Sequence, residues 1–120
     1  MERRTFLRAA AASSLVGSLV RHANAQRDSA FTTAKIDVAG NSIFYRRYGE
    51  GPAVLMVHGF PRTSLMWRYL APTLAGNHTV ICADLRAYGR SGIPASADDH
   101  FPYSKRAIAK ELVEAMIKLG

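Results

Sequence analysis

Cysteine is almost absent: Cys82 stands alone in a chain of 120 residues. One thiol excludes any disulfide within the chain and any cysteine-rich metal site. Its neighbours in TVICAD, residues 79 to 84, are apolar, which points to a buried thiol rather than a nucleophile. Long apolar runs are missing as well. The apolar stretch from 9 to 20 holds 12 residues, whereas a membrane-spanning helix needs about 20, so no stable membrane anchor is expected. Acidic residues are few, 9 against 16 Lys and Arg, for a formal net charge of +7. Four of the arginines and one glutamate fall in the first 25 residues, which leaves +4 for the rest. Those remaining basic residues are scattered, with Arg46-Arg47 and Lys105-Arg106 the only adjacent pairs, and no aromatic-interleaved stripe suits a nucleic acid. Nucleic-acid binding is therefore not expected. His78, in a Gly-Asn-His-Thr turn, and His100, after Asp98-Asp99, have no ligand spacing for a metal. They read as exposed loop residues, and no metal or other cofactor is called for.

The N-terminus is organised as a targeting segment. Arg3, Arg4 and Arg8 supply a basic start, residues 9 to 20 an apolar middle, and Ala23-Asn24-Ala25 the small residues that a signal peptidase reads. Cleavage after Ala25 would leave Gln26 first. The arginine pair with Phe6-Leu7-Arg8 resembles the twin-arginine signal, with Glu2 where that pattern has Ser or Thr. The expected destination is the periplasm or beyond, and the expected division is a signal over 1 to 25 and a domain from 26 to 120.

Those 95 residues suffice for one small domain. Residues 31 to 38 and 42 to 48 favour strands, and Ala39-Gly40-Asn41 carries hairpin turn chemistry. AVLMV, residues 53 to 57, is continuously apolar, the pattern of a central strand covered on both faces. Residues 64 to 75 read as a helix with Leu65, Trp67, Leu70 and Leu74 as its apolar stripe and Pro72 near its end. Met66 and Trp67 are expected in the core. TVICAD forms another buried strand. After a loop, Ser104 can cap a final helix carrying Ile108, Leu112, Ala115, Met116 and Leu119 at helical spacing, with Gly120 at its C-terminal cap. The order strand, strand, strand, helix, strand, helix argues an α/β sheet.

Two motifs sit at the C-terminal ends of predicted strands: His58-Gly59-Phe60-Pro61 after AVLMV, and Asp84-Leu85-Arg86-Ala87-Tyr88-Gly89-Arg90-Ser91 after TVICA. Together, in this order and at this spacing, they resemble the N-terminal part of the α/β-hydrolase fold, in particular its epoxide hydrolase and haloacetate dehalogenase branch. The resemblance covers residues 31 to 120. It implies hydrolysis of an epoxide, carbon–halogen or ester bond in a small molecule through a covalent enzyme intermediate. It also implies that the backbone amide of Phe60 is one oxyanion donor, with the second following the nucleophile. Within that pattern Pro61 fixes the turn, often through a cis peptide, and the Phe60 ring can wall the substrate pocket. Haloalkane dehalogenases carry asparagine at the position of Phe60, so phenylalanine favours the epoxide hydrolase and haloacetate dehalogenase types.

His58 suits general-base work by type. In the α/β-hydrolase fold, however, the triad histidine follows the nucleophile and the acid. His58 with Gly59 is accordingly expected to support the loop, as are Asp84, Gly89 and Ser91. Ala87 takes the place of the first glycine in the family's D-x-x-G-x-G-x-S segment, at a cost of about 1 kcal/mol if that position needs positive φ. Arg62 is a lone charge near the expected pocket mouth. The nucleophile elbow, G-x-S-x-G or its aspartate version, is not found in the 120 residues. The expectation is a sheet truncated before the elbow, with AVLMV left as an unprotected edge and independent folding in doubt. A non-catalytic fragment remains the alternative to a hydrolase.

Overall fold

A computed structural model of the protein describes residues 31–120. The signal-like segment, with its cleavage point at Ala25, lies outside the described residues. Phe31–Val38 (β1) and Asn41–Tyr48 (β2) form the predicted hairpin, paired antiparallel from Val38 opposite Asn41 to Phe31 opposite Tyr48. Ala39 and Gly40 both have positive φ, 50° and 78°, the turn geometry whose twist matches that of its flanking strands.

Ala53–Val57 (β3) and Thr79–Ala83 (β4) complete a four-stranded sheet in the order β1-β2-β4-β3. β4 runs antiparallel to β2 and parallel to β3. All five residues of β4 are buried, because the strand has neighbours on both edges and side chains packed on both faces. Val80 and Cys82 join Tyr48 and Ala71 in one core cluster, against which Trp67 and Leu74 pack. Ala83 joins Ile43 and Leu112 in the other, with Leu55 and Ile108 against it. A sheet between two layers is what the continuous apolar run of β4 anticipated.

β3 lies at the edge of the described sheet, as expected for AVLMV where no further strand pairs with it, and Ala53 and Val57 are exposed. One sequence expectation gives way. The crossover between β3 and β4 is not one helix over 64 to 75. It is a 3₁₀ turn, Ser64–Trp67, followed by a single turn of α-helix, Ala71–Leu74 (α1). Pro72 explains the break: it has no N–H for the carbonyl four residues earlier, and its ring crowds that carbonyl, so it is tolerated only in the first turn of a new helix. The interruption turns Leu65 and Leu70 outward, at 50% and 46% exposure, and leaves Trp67 and Leu74 on the core.

Lys105–Leu119 (α2) forms as expected. The Ser104 hydroxyl accepts from the Ala107 amide at 3.2 Å, and Gly120 closes the helix with φ 87°. Leu112 and Ala115 are buried, whereas Val113 and Ile117 look outward.

Candidate functional site

Because β3 and β4 are parallel and Val57 is in register with Ala83, both chains leave the sheet at the same end. The loops beginning at His58 and Asp84 therefore start side by side, where α/β sheets place their chemistry. The buried His58 ring joins them. Its Nε2 accepts the Leu85 amide at 3.0 Å, and its Nδ1 lies 3.0 Å from the Gly59 carbonyl. An amide donor on Nε2 assigns the ring hydrogen to Nδ1, where it can be given to Gly59. Both nitrogens are then engaged, and the Tyr88 ring meets the imidazole edge-on at 5.2 Å. Beyond His58 the Arg62 amide donates to the Gly59 carbonyl at 2.9 Å, closing a turn whose Phe60-Pro61 bond is cis. The Phe60 amide makes no hydrogen bond among the described residues.

The Phe60 ring is 85% exposed. The groove beside the turn, about 540 Å³, is lined by Pro61, Arg62, Leu65, Met66, Arg68 and Tyr69. Met66, expected in the core, is a groove residue with 40% exposure, a further consequence of the broken crossover.

Asp84, fully buried, answers His58 from the opposite loop. Its Oδ1 accepts the Ser64 amide at 2.7 Å and its Oδ2 the Arg90 amide at 3.0 Å. Its backbone carbonyl accepts the Ser91 hydroxyl at 2.6 Å, and that hydroxyl accepts the Phe44 amide of β2 at 2.9 Å. Gly89 has φ 52°, and a Cβ there would come within 2.2 Å of Asp84 Oδ2, so the turn closes over the carboxylate only with glycine. Ala87 adopts φ 65° without being glycine.

Sequence comparison decides the family. A family model for the alpha/beta hydrolase fold matches residues 52–120. The chain belongs to the α/β-hydrolase family. A fluoroacetate dehalogenase from Burkholderia sp is 47% identical over 90 residues, covering 75% of this chain and 30% of that enzyme. An epoxide hydrolase from Caballeronia sordidicola is 44% identical over 69 residues, 55% of this chain and 21% of that one. Among solved structures, the Nostoc sp PCC 7120 protein ALR0039 is 43% identical with a TM-score of 0.74, covering 78% of this chain and 32% of that one. The relatives of this α/β-hydrolase chain thus include epoxide hydrolases and a dehalogenase, and it spans about a third or less of their length.

One constellation of this α/β-hydrolase chain has no local signature in the sequence. Arg86 and Glu111 form a buried bidentate pair, with Nη2 to Oε1 at 2.9 Å and Nε to Oε2 at 3.1 Å. Asn41 Nδ2 donates to the same Oε1 at 2.8 Å, and Arg86 Nη1 donates to the Pro102 carbonyl. Arg86 and Asn41 lie 25 and 70 positions from Glu111, so no local pattern announces them. A glutamate on the inward, otherwise apolar face of an amphipathic helix was the available signal. Among the described residues no three His, Cys, Asp or Glu side chains gather as a metal site. Burial pushes the Cys82 thiol up to about 11, against the opposing pull of the Arg46 guanidinium.

Proposed function

We propose that residues 26–120 form the N-terminal portion of a hydrolase that cleaves an epoxide, carbon–halogen or ester bond of a small molecule, and that the Phe60 amide is one of its oxyanion donors. One observation carries the reading: the Phe60 N–H has no partner among the described residues and sits at the strand exit, between elements that His58 and Asp84 tie together. A preorganised N–H of this kind stabilises charge on a reacting oxygen without reorganising, and it cannot attack. His58, Gly59, Pro61, Asp84 and Gly89 support the turn, and none of them is assigned a proton-transfer step.

The test is a graft. Residues 31–120 replace the matching segment of the Burkholderia fluoroacetate dehalogenase, which supplies the rest of an enzyme. Retained dehalogenation is the expected result. Replacing the Phe60 amide by an ester, through phenyllactic acid at position 60, then lowers kcat by about 10²- to 10³-fold. An unchanged kcat would remove Phe60 from the mechanism. The alternative reading, a non-catalytic fragment, is abandoned if the purified 120-residue chain melts cooperatively and turns over an ester, epoxide or haloacid.

Export to the periplasm by the twin-arginine route belongs to the same proposal and rests on the sequence of residues 1 to 25. Arg3→Lys with Arg4→Lys abolishes export on this reading; unchanged export rejects it.

A further inference from the structure

We propose that the buried Arg86–Glu111–Asn41 network is a positioning device for the loop that carries Phe60, acting through the Leu85 amide and His58. The inference rests on the reading of Phe60 given above. It starts from a difference in how the two strand-exit loops are held. Residues 59–62 are exposed, follow the edge strand and the buried His58, and lead into a broken crossover, so little of the core holds them. Residues 84–92 are pinned instead. Arg86 is fixed by both carboxylate oxygens of Glu111 and by the Pro102 carbonyl, while the Gly92 amide donates to the Ser42 carbonyl at 2.7 Å. A Cβ on Gly92 would fall 2.3 Å from Asn41 Oδ1, so the network reaches that end of the loop as well.

The pinned loop then holds the loose one at two points. The Leu85 amide, adjacent to Arg86, is donated to His58, and the Asp84 carboxylate accepts the Ser64 amide. These bonds bracket the turn of residues 59–62. A shift of the Arg86 backbone therefore moves His58, and with it the Phe60 amide two residues on. Oxyanion donors tolerate such shifts poorly, since a misplacement of about 1 Å costs up to about a hundredfold in rate. The network uses a paired charge, and replacing such a pair by apolar side chains commonly leaves stability intact. Positioning and stability can therefore be separated by experiment.

In the full chain, the double variant Arg86→Met/Glu111→Leu keeps the four-stranded sheet by NMR. The scalar coupling between the Leu85 amide nitrogen and His58 Nε2 disappears, and the Leu85 and Ser64 amides exchange at least about tenfold faster, while those of Ile43 and Cys82 are unchanged. A folded double variant that retains the coupling and these exchange rates overturns the proposal. Should the double variant unfold, hydrogen exchange of the unmodified chain decides. Arg86 Nε–H and the Leu85 and Ser64 amides open together if the network positions the loop; Arg86 opening alone while both amides stay protected overturns it. In the graft, the double variant lowers kcat about tenfold or more with KM within about twofold. An unchanged kcat there, in an enzyme that the Phe60 ester has already impaired, overturns the positioning role and leaves the Phe60 reading standing. Loss of the coupling in the chain alongside an ineffective Phe60 ester has the opposite meaning, a real anchor beneath a misassigned donor.

Discussion

Ala87 holds φ 65° in the middle of the loop that closes over Asp84, and its amide is bonded to the Gly92 carbonyl at 2.8 Å. Left-handed backbone costs a residue with a Cβ about 1–2 kcal/mol. Glycine removes that strain but returns about 0.4–1 kcal/mol by loosening the unfolded chain. Ala87→Gly is accordingly expected to stabilise the fold by about 0.5–1 kcal/mol, read as a higher urea midpoint; an unchanged or lower midpoint would mean that the loop carries no such strain. Two residues on, the same substitution in reverse has the opposite sign. Gly89→Ala sets a Cβ within 2.2 Å of Asp84 Oδ2 and forces the carboxylate off the Arg90 amide. Leaving these buried groups unpaired costs about 1–3 kcal/mol. The two variants together measure how tightly the loop is wrapped around Asp84, apart from any effect on chemistry.

At the scale of elements, α2 is written almost entirely in local signals. Ser104 caps it, apolar residues recur at helical spacing, and Gly120 ends it. Ser104→Ala leaves the Ala107 amide without its side-chain acceptor and should cost about 1 kcal/mol, seen as a lower melting midpoint with unchanged sheet content. The crossover was harder to read, because its apolar spacing and its proline disagree and periodicity alone does not say which prevails. Pro72 prevails: Leu65, Leu70 and Met66 go to the surface. β4 was legible because burial on both faces leaves an unbroken apolar run. It also sets a pH dependence through Cys82, whose thiol rises from 9.0 to about 11 on burial. Below pH 9 the thiol is protonated in both states. Between pH 9 and 11 the unfolded chain loses the proton that the folded chain keeps, so stability falls as pH rises through that window. The urea midpoint of Cys82→Ala should fall less between pH 8.5 and 10.5 than that of the parent chain, and equal falls would exclude a contribution from the thiol.

At the scale of the molecule, the motif loops were legible because each is short and follows a recognisable strand. Glu111 was not, because its partners are brought to it only by the packing of α2 on the sheet. The position of β3 is also a property of the whole. AVLMV has the composition of a central strand, yet among the described residues only β4 pairs with it, and Val57 is 41% exposed. An apolar edge with unpaired backbone groups is a template for another strand. The chain should therefore self-associate as concentration rises, and charge on the edge should suppress this, since lysine is among the residues natural sheets use to block edge pairing. Val57→Lys is the informative substitution: its side chain is already partly in solvent, so the variant should melt at nearly the parent temperature while sedimenting as a monomer at concentrations where the parent does not. Association unchanged by Val57→Lys would locate it elsewhere, with the exposed apolar pair Val113 and Ile117 of α2 as the next surface to charge.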